Sequence, residues 1–136
     1  MKKVFILMVL TGLAAVGYAQ VAATAANANV AVATFQSQTH DFGKIKQGEP
    51  VTHEFKFTNT GSVPMIITNV QASCGCTTPA WTREPIAPGG EGFIKATYNA
   101  AALGAFNKTV TVTANVENGF LQLAIKGEVQ ASVPNN

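Results

Sequence analysis

The chain of 136 residues is sparing with reactive and charged side chains. It has two cysteines, two histidines and one tryptophan, and 12% of it is charged. Two cysteines are too few for a disulfide-dense scaffold, so stability has to come from burying Phe, Val, Ile and Leu. The few cations form no basic stripe, which argues against a nucleic-acid surface, and no polybasic patch, which argues against electrostatic docking on a membrane. No stretch keeps a 3.6-residue apolar period, so nothing reads as an amphipathic helix. After the first 16 residues no apolar run approaches the roughly 20 residues of a membrane span.

What is present begins with "MKKVFILMVLTGLAAVGYAQ". Lys2 and Lys3 precede an apolar run from Val4 to Val16, and Gly17 and Ala19 supply small residues for cleavage. This is the pattern of a secretory signal over residues 1–19, cut after Ala19. No cysteine follows the run to carry a lipid. Without Lys2 and Lys3, seven Lys and Arg stand against seven Asp and Glu, so the mature chain is near neutral. The expected product is periplasmic or secreted, with no stable membrane insertion after cleavage. Residues 20–34 read as an Ala-rich linker passing into a first strand near Val30 to Gln38, and residues 131–136 as a short tail.

Between them, over residues 35–130, the apolar period is two. "VTHEFKFTN" puts Val51, His53, Phe55 and Phe57 on one face. "MIITNVQAS", Met65 to Ser73, is a β-branched strand. "FIKATYN" turns Ile94, Ala96 and Tyr98 inward; "NKTVTVTANV" does so for Val110, Val112, Ala114 and Val116; "FLQLAIKGEV" for Leu121, Leu123, Ile125 and Val129. Turn clusters separate them, and Asn118-Gly119 suits the positive φ angles of a type I′ hairpin. Short strands at regular spacing predict an all-β fold, an antiparallel sandwich of about seven strands, with a barrel as the other possibility.

The ordered motifs His40-Asp41-Phe42-Gly43, "FTNTG" with Asn59 and Gly61, Ser73-Cys74-Gly75-Cys76-Thr77 and "PIAPGG" with Pro88 and Gly89 resemble the bacterial secreted family catalogued as domain of unknown function 1573. The resemblance runs from about His40 to Val129. It implies an immunoglobulin-like sandwich similar to major sperm protein, hydin-type domains and pilus chaperones, and it implies no enzyme. Each motif also has a physical reading. Phe42 plugs the core, Gly43 lets the backbone turn, and Asp41 bonds nearby amides. Asn59 bridges turn amides, Gly61 supplies positive φ, and Pro88 with Gly89 presets a turn. The Asp-Phe-Gly string is not a kinase motif, since no glycine-rich loop or catalytic loop accompanies it.

Chemistry, if any, rests on Cys74 and Cys76. In an extended strand residues two apart lie about 6.6 Å apart and point the same way. A disulfide wants roughly 4.4 to 6.8 Å with bent Cβ geometry. A turn at Gly75 would allow closure into a small, readily reduced ring; an extended Gly75 would favour free thiols. Four readings stay open: a structural role at the sandwich end, thiol–disulfide exchange, a soft-metal clip for Cu(I) with His40 as third ligand, and a Cys-His nucleophile. His53 reads as a core-facing packing residue. Trp81 with Arg83 reads as core packing or as a binding anchor. "NKT" at Asn107 fits a glycosylation triplet, discounted because the leader and the resemblance look bacterial. The expected function is a non-enzymatic interaction module of the cell envelope with a protein or peptide partner, no nucleic acid and no cofactor. The alternative is a thiol-redox or Cu(I)-handling protein acting through Cys74-Gly75-Cys76.

Overall fold

The computed structural model describes residues 29–133. The expected signal peptide, most of the expected linker and the last three residues of the expected tail lie outside that range. Eight strands are present among the described residues: β1 (Ala33–Phe35), β2 (Thr39–Lys46), β3 (Val51–Asn59), β4 (Ile67–Ala72), β5 (Thr77–Trp81), β6 (Glu91–Tyr98), β7 (Gly104–Ala114) and β8 (Phe120–Gln130). They form two four-stranded sheets, ordered β1-β3-β6-β5 and β2-β8-β7-β4. The architecture is therefore a sandwich rather than a barrel. Strand alternation drives it: Phe55, Phe57, Ile94, Ala96 and Tyr98 come inward from the first sheet, and Val110, Val112, Leu123, Ile125 and Val129 from the second.

Several expectations need correcting. The sheets are not wholly antiparallel, because β2 pairs with β8 in parallel. The strand count is eight rather than about seven, because the expected early strand near Val30 to Gln38 is the short β1 and a separate strand, β2, follows it, and because Thr77–Trp81 is a strand of its own. The Met65 to Ser73 strand is shorter than expected: Met65 makes an isolated bridge to Ile86, and the ladder runs from Ile67 to Ala72. The Asn118-Gly119 connection does use positive φ at both residues, 64° and 79°. It spans residues 115–119 with a short 3-10 turn, so it is longer than a two-residue hairpin.

The edges decide where function can lie. In the first sheet they are β1 and β5, and in the second β2 and β4. Each edge is blunted. β1 has three residues, β5 carries Pro79, and the registers of β2 and β4 each shift. The chain passes from the β4 edge of one sheet to the β5 edge of the other through residues 73–76. That crossover holds both cysteines.

Candidate functional site

The β4 ladder ends in a handover from backbone to side chain. The amide of Ser73 donates to Thr109 O at 2.8 Å, as a strand residue would. The amide of Thr109, however, donates to Ser73 Oγ at 3.1 Å. The hydroxyl stands where the Ser73 carbonyl would be, so the chain is free to leave the sheet. It turns at once. The Thr77 amide reaches back to Cys74 O at 3.4 Å, and the Asn99 amide holds Cys76 O at 2.9 Å from the end of β6. Thr77 then enters β5 buried, paired with Tyr98.

In that turn Cys74 and Cys76 are bonded to each other, with Cα atoms 5.3 Å apart. This is shorter than the roughly 6.6 Å of an extended pair and within the range for closure. No free cysteine remains among the described residues. Gly75, on which the sequence reading turned, lies in the bend but needs no left-handed φ, and a Cβ there would meet nothing within 4 Å. Both cysteines are half-buried and Gly75 is exposed. Cys76 packs against the core, while Cys74 Sγ lies 3.9 Å from Thr77 Oγ1. The bridge therefore sits on the rim of the sandwich, neither sealed inside it nor free of it.

His40 does not join the cysteines. It sits on β2, at the opposite edge of its sheet from β4, with its ring stacked on His53 at a centroid distance of 3.7 Å. Among the described residues no group of three or more His, Cys, Asp and Glu gathers to hold a metal ion. The expected third Cu(I) ligand is thus corrected: the parallel pairing of β2 with β8 carries His40 away from the crossover. The Cys-His nucleophile loses its histidine for the same reason, since the other, His53, is the one stacked on His40.

The remaining motif residues build the scaffold. Asp41 Oδ1 accepts from the Gly43 amide at 2.8 Å. With Gly43 at a φ of 67°, they form the irregularity where the β2 register shifts. Phe42 is half-buried, its ring 6.4 Å from Phe106. Asn59 is fully buried. Its Nδ2 donates to Val63 O at 2.8 Å and Ile86 O at 2.9 Å, and its Oδ1 accepts from the amides of Gly61 at 3.1 Å and Val32 at 3.4 Å. Gly61 does not take the positive φ expected of it. It is needed for close approach instead, because a Cβ would come within 2.8 Å of Val32 N. Pro88 and Gly89 make a turn closed by the Gly90 amide on Ala87 O at 2.8 Å, with Gly89 at a φ of 80°. Two glycines not picked out from sequence matter more to packing. Gly92 lies under Phe57 and Gly127 under Phe106, where a Cβ would approach to 2.5 Å and 2.8 Å.

Trp81, at the end of β5, is half-buried with the Arg83 guanidinium carbon 3.6 Å from its ring centroid. Its Nε1 is buried without a hydrogen-bond partner among the described residues. A groove of about 440 Å³ lies beside the β2 irregularity, lined by Asp41, Lys44, Phe106, Lys126 and Glu128 among others. None of its lining residues belongs to the cysteine crossover.

Fold and site together define a class: an immunoglobulin-like β-sandwich of two four-stranded sheets with a Cys-x-Cys disulfide at its rim. The family described as "Protein of unknown function (DUF1573)" matches residues 33–129, and the chain belongs to it. Among solved structures it is similar to a protein of unknown function from Porphyromonas gingivalis W83, with 20% identity and a TM-score of 0.65 over 74% of this chain. The chain spans 48% of that protein's length. It is also similar to the ASH / PapD-like domain 7 of human CEP192, with 8% identity and a TM-score of 0.63 over 77% of this chain and 89% of that one. A third is the secreted serine protease VesC from Vibrio cholerae, with 15% identity and a TM-score of 0.58 over 75% of this chain and 24% of that one. At these identities the likeness is one of fold. No curated protein matches the chain significantly.

Proposed function

We infer that the protein is a periplasmic or secreted, non-enzymatic module that engages a protein partner through thiol–disulfide exchange at Cys74–Cys76. The observation that carries this reading is the position of the bond. It closes a ring over a single intervening residue, on a crossover between two sheet edges, with both cysteines half-buried. A bond that cross-links so little chain constrains the unfolded state weakly, which leaves its chemistry as the better account of it. Exchange would proceed in two displacements. A partner thiolate attacks one sulfur, the Cys74–Cys76 bond breaks, and the departing cysteine thiolate takes a proton from water. The partner's second thiol then attacks the mixed disulfide. The partner leaves oxidised to a disulfide, and Cys74 and Cys76 are left as two thiols, having accepted two electrons.

The test is trapping. The single variant Cys76→Ser, which keeps Cys74, and its counterpart Cys74→Ser are incubated with diamide-oxidised envelope extract freed of diamide, so that the remaining thiolate attacks the oxidised partner's disulfide in the reverse of the second displacement, and adducts are resolved without reductant. The reading expects a discrete mixed disulfide, released by dithiothreitol, from one of the two variants. Its absence from both would refute the exchange reading.

A second reading, a binding module without redox chemistry, is favoured by Trp81 and Arg83. A tryptophan under a stacked guanidinium at a sheet edge is the kind of pair that anchors protein interfaces. Capture of a partner that survives Cys74→Ser/Cys76→Ser and is lost in Trp81→Ala would support it over exchange.

A further inference from the structure

We propose that the stacked His40–His53 pair is a pH-sensitive clasp, holding the edge strand β2 against the opposite sheet and releasing it when both rings are protonated. The two histidines belong to different sheets, His40 to β2 and His53 to β3. Their rings lie 3.7 Å apart at the centroids and 4° from parallel. Phe42 meets His40 edge-on at 4.6 Å, and Phe55 meets His53 edge-on at 4.6 Å. Four rings, Phe42, His40, His53 and Phe55, thus run in series from one sheet to the other. Beyond this stack, Phe42 and Ile45 pack β2 on the core and the ladder to β8 holds it at one edge. β2 is an edge strand whose one hydrogen-bonded neighbour is β8, and that parallel ladder is interrupted between Asp41 and Lys44.

Stacked imidazoles tolerate one proton, because a cation over a neutral π face is attracted to it. Two protons put like charges face to face at the same short distance, half out of water, and each then opposes the other. The surrounding charges leave the second proton largely uncompensated. On β3, Glu54 adjoins His53 and favours its charged form, but its carboxylate already faces Lys95 at 3.5 Å and Lys56 at 3.9 Å. On β2, Asp41 is occupied by the Gly43 amide. On β8, Lys126 lies opposite Asp41, and Ile125 lies opposite His40. On β7, Lys108 lies opposite Ile125, and on β6 the residue opposite His53 is Ala96. Burial and the charge of His40 both hold His53 below the ordinary histidine range. Neutral pH therefore keeps the stack closed. Acid that adds a second proton to the stack sets charge against charge at 3.7 Å and parts β2 from β3.

The experiment follows both rings and the strand. In the mature protein, the imidazole Hε1 resonances are titrated between pH 8 and pH 4.5, and amide protection factors of β2 and β7 are measured at pH 7.5 and pH 5. The clasp predicts two separate titration steps rather than one. It also predicts at least a tenfold loss of protection in β2 at pH 5 while β7 keeps its protection. His40→Phe should raise the His53 midpoint and abolish the selective loss in β2. If that variant does not fold, the wild-type titration and protection data decide alone. Independent titration of the two rings, or β2 protection that stays parallel to that of β7, would overturn the proposal.

Discussion

Replacing Cys74 and Cys76 together by serine distinguishes a bond kept for its chemistry from one kept for the fold. The ring encloses only Cys74, Gly75 and Cys76. With three residues in the closed loop, the chain-entropy relation assigns the bond about 1.6 kcal/mol at 25 °C, less than for most protein disulfides. Cys76 also loses part of its contact with the core, which at about 0.8 kcal/mol per buried methylene-sized group adds at most ~1 kcal/mol. The expected loss is therefore about 2–3 kcal/mol, against the 5–15 kcal/mol that domains typically hold. Urea denaturation followed by tryptophan fluorescence from Trp81 reads it directly. The double variant should unfold in one transition with an unchanged m-value and a lower midpoint. A loss above about 5 kcal/mol, or failure to fold, would refute the reasoning. It would return the cysteines to the structural role left open by the sequence.

Three further perturbations probe the scaffold. Asn59→Ala removes a buried amide with four partners; at about 1 kcal/mol for each bond, the loss should be about 4 kcal/mol or more by urea titration. Gly127→Ala places a Cβ 2.8 Å from Phe106 and 2.9 Å from Gly43 O, an overpacking cost of about 1–3 kcal/mol that a thermal melt should show as a lower Tm. Stability should also fall with acid on account of His53, whose pKa burial lowers in the folded state. The unfolded chain then binds the proton more readily, so the contribution is complete above the ordinary histidine pKa of about 6.5 and is lost as pH falls below it toward the folded pKa. Urea midpoints at pH 8, 6.5 and 5.5 check this, and His53→Phe should flatten that part of the profile.

Much of the sandwich was legible because alternation is a local signal. β3, β6, β7 and β8 each carry an inward apolar set with period two, and each is present. β2 and β5 were missed for local reasons too. Gly43 shifts the β2 register and breaks its alternation, and "TTPAW" is short and holds a proline. The parallel β2–β8 ladder joins segments about 85 residues apart, for which no turn chemistry serves as a marker. The site divides in the same way. Spacing brought Cys74 and Cys76 to notice but left them open, because closure depends on a bend held by Thr77 and Asn99, one of them 23 residues beyond Cys76. His40 and His53 are 13 residues apart in sequence, and only the packing of the two sheets brings their rings together. The role of Asn59 was half visible: its turn partner Gly61 is local, whereas Val32 and Ile86 each lie 27 residues away.

The central claim is that the Cys74–Cys76 bond is exchangeable. Equilibration of the folded protein against glutathione redox buffers, with acid quenching, thiol alkylation and intact-mass readout, measures its reduction potential. A bond between half-buried cysteines that closes so small a ring should titrate well above about −300 mV, among the labile disulfides rather than the structural ones. A bond that stays intact below about −300 mV while the domain remains folded would contradict the account.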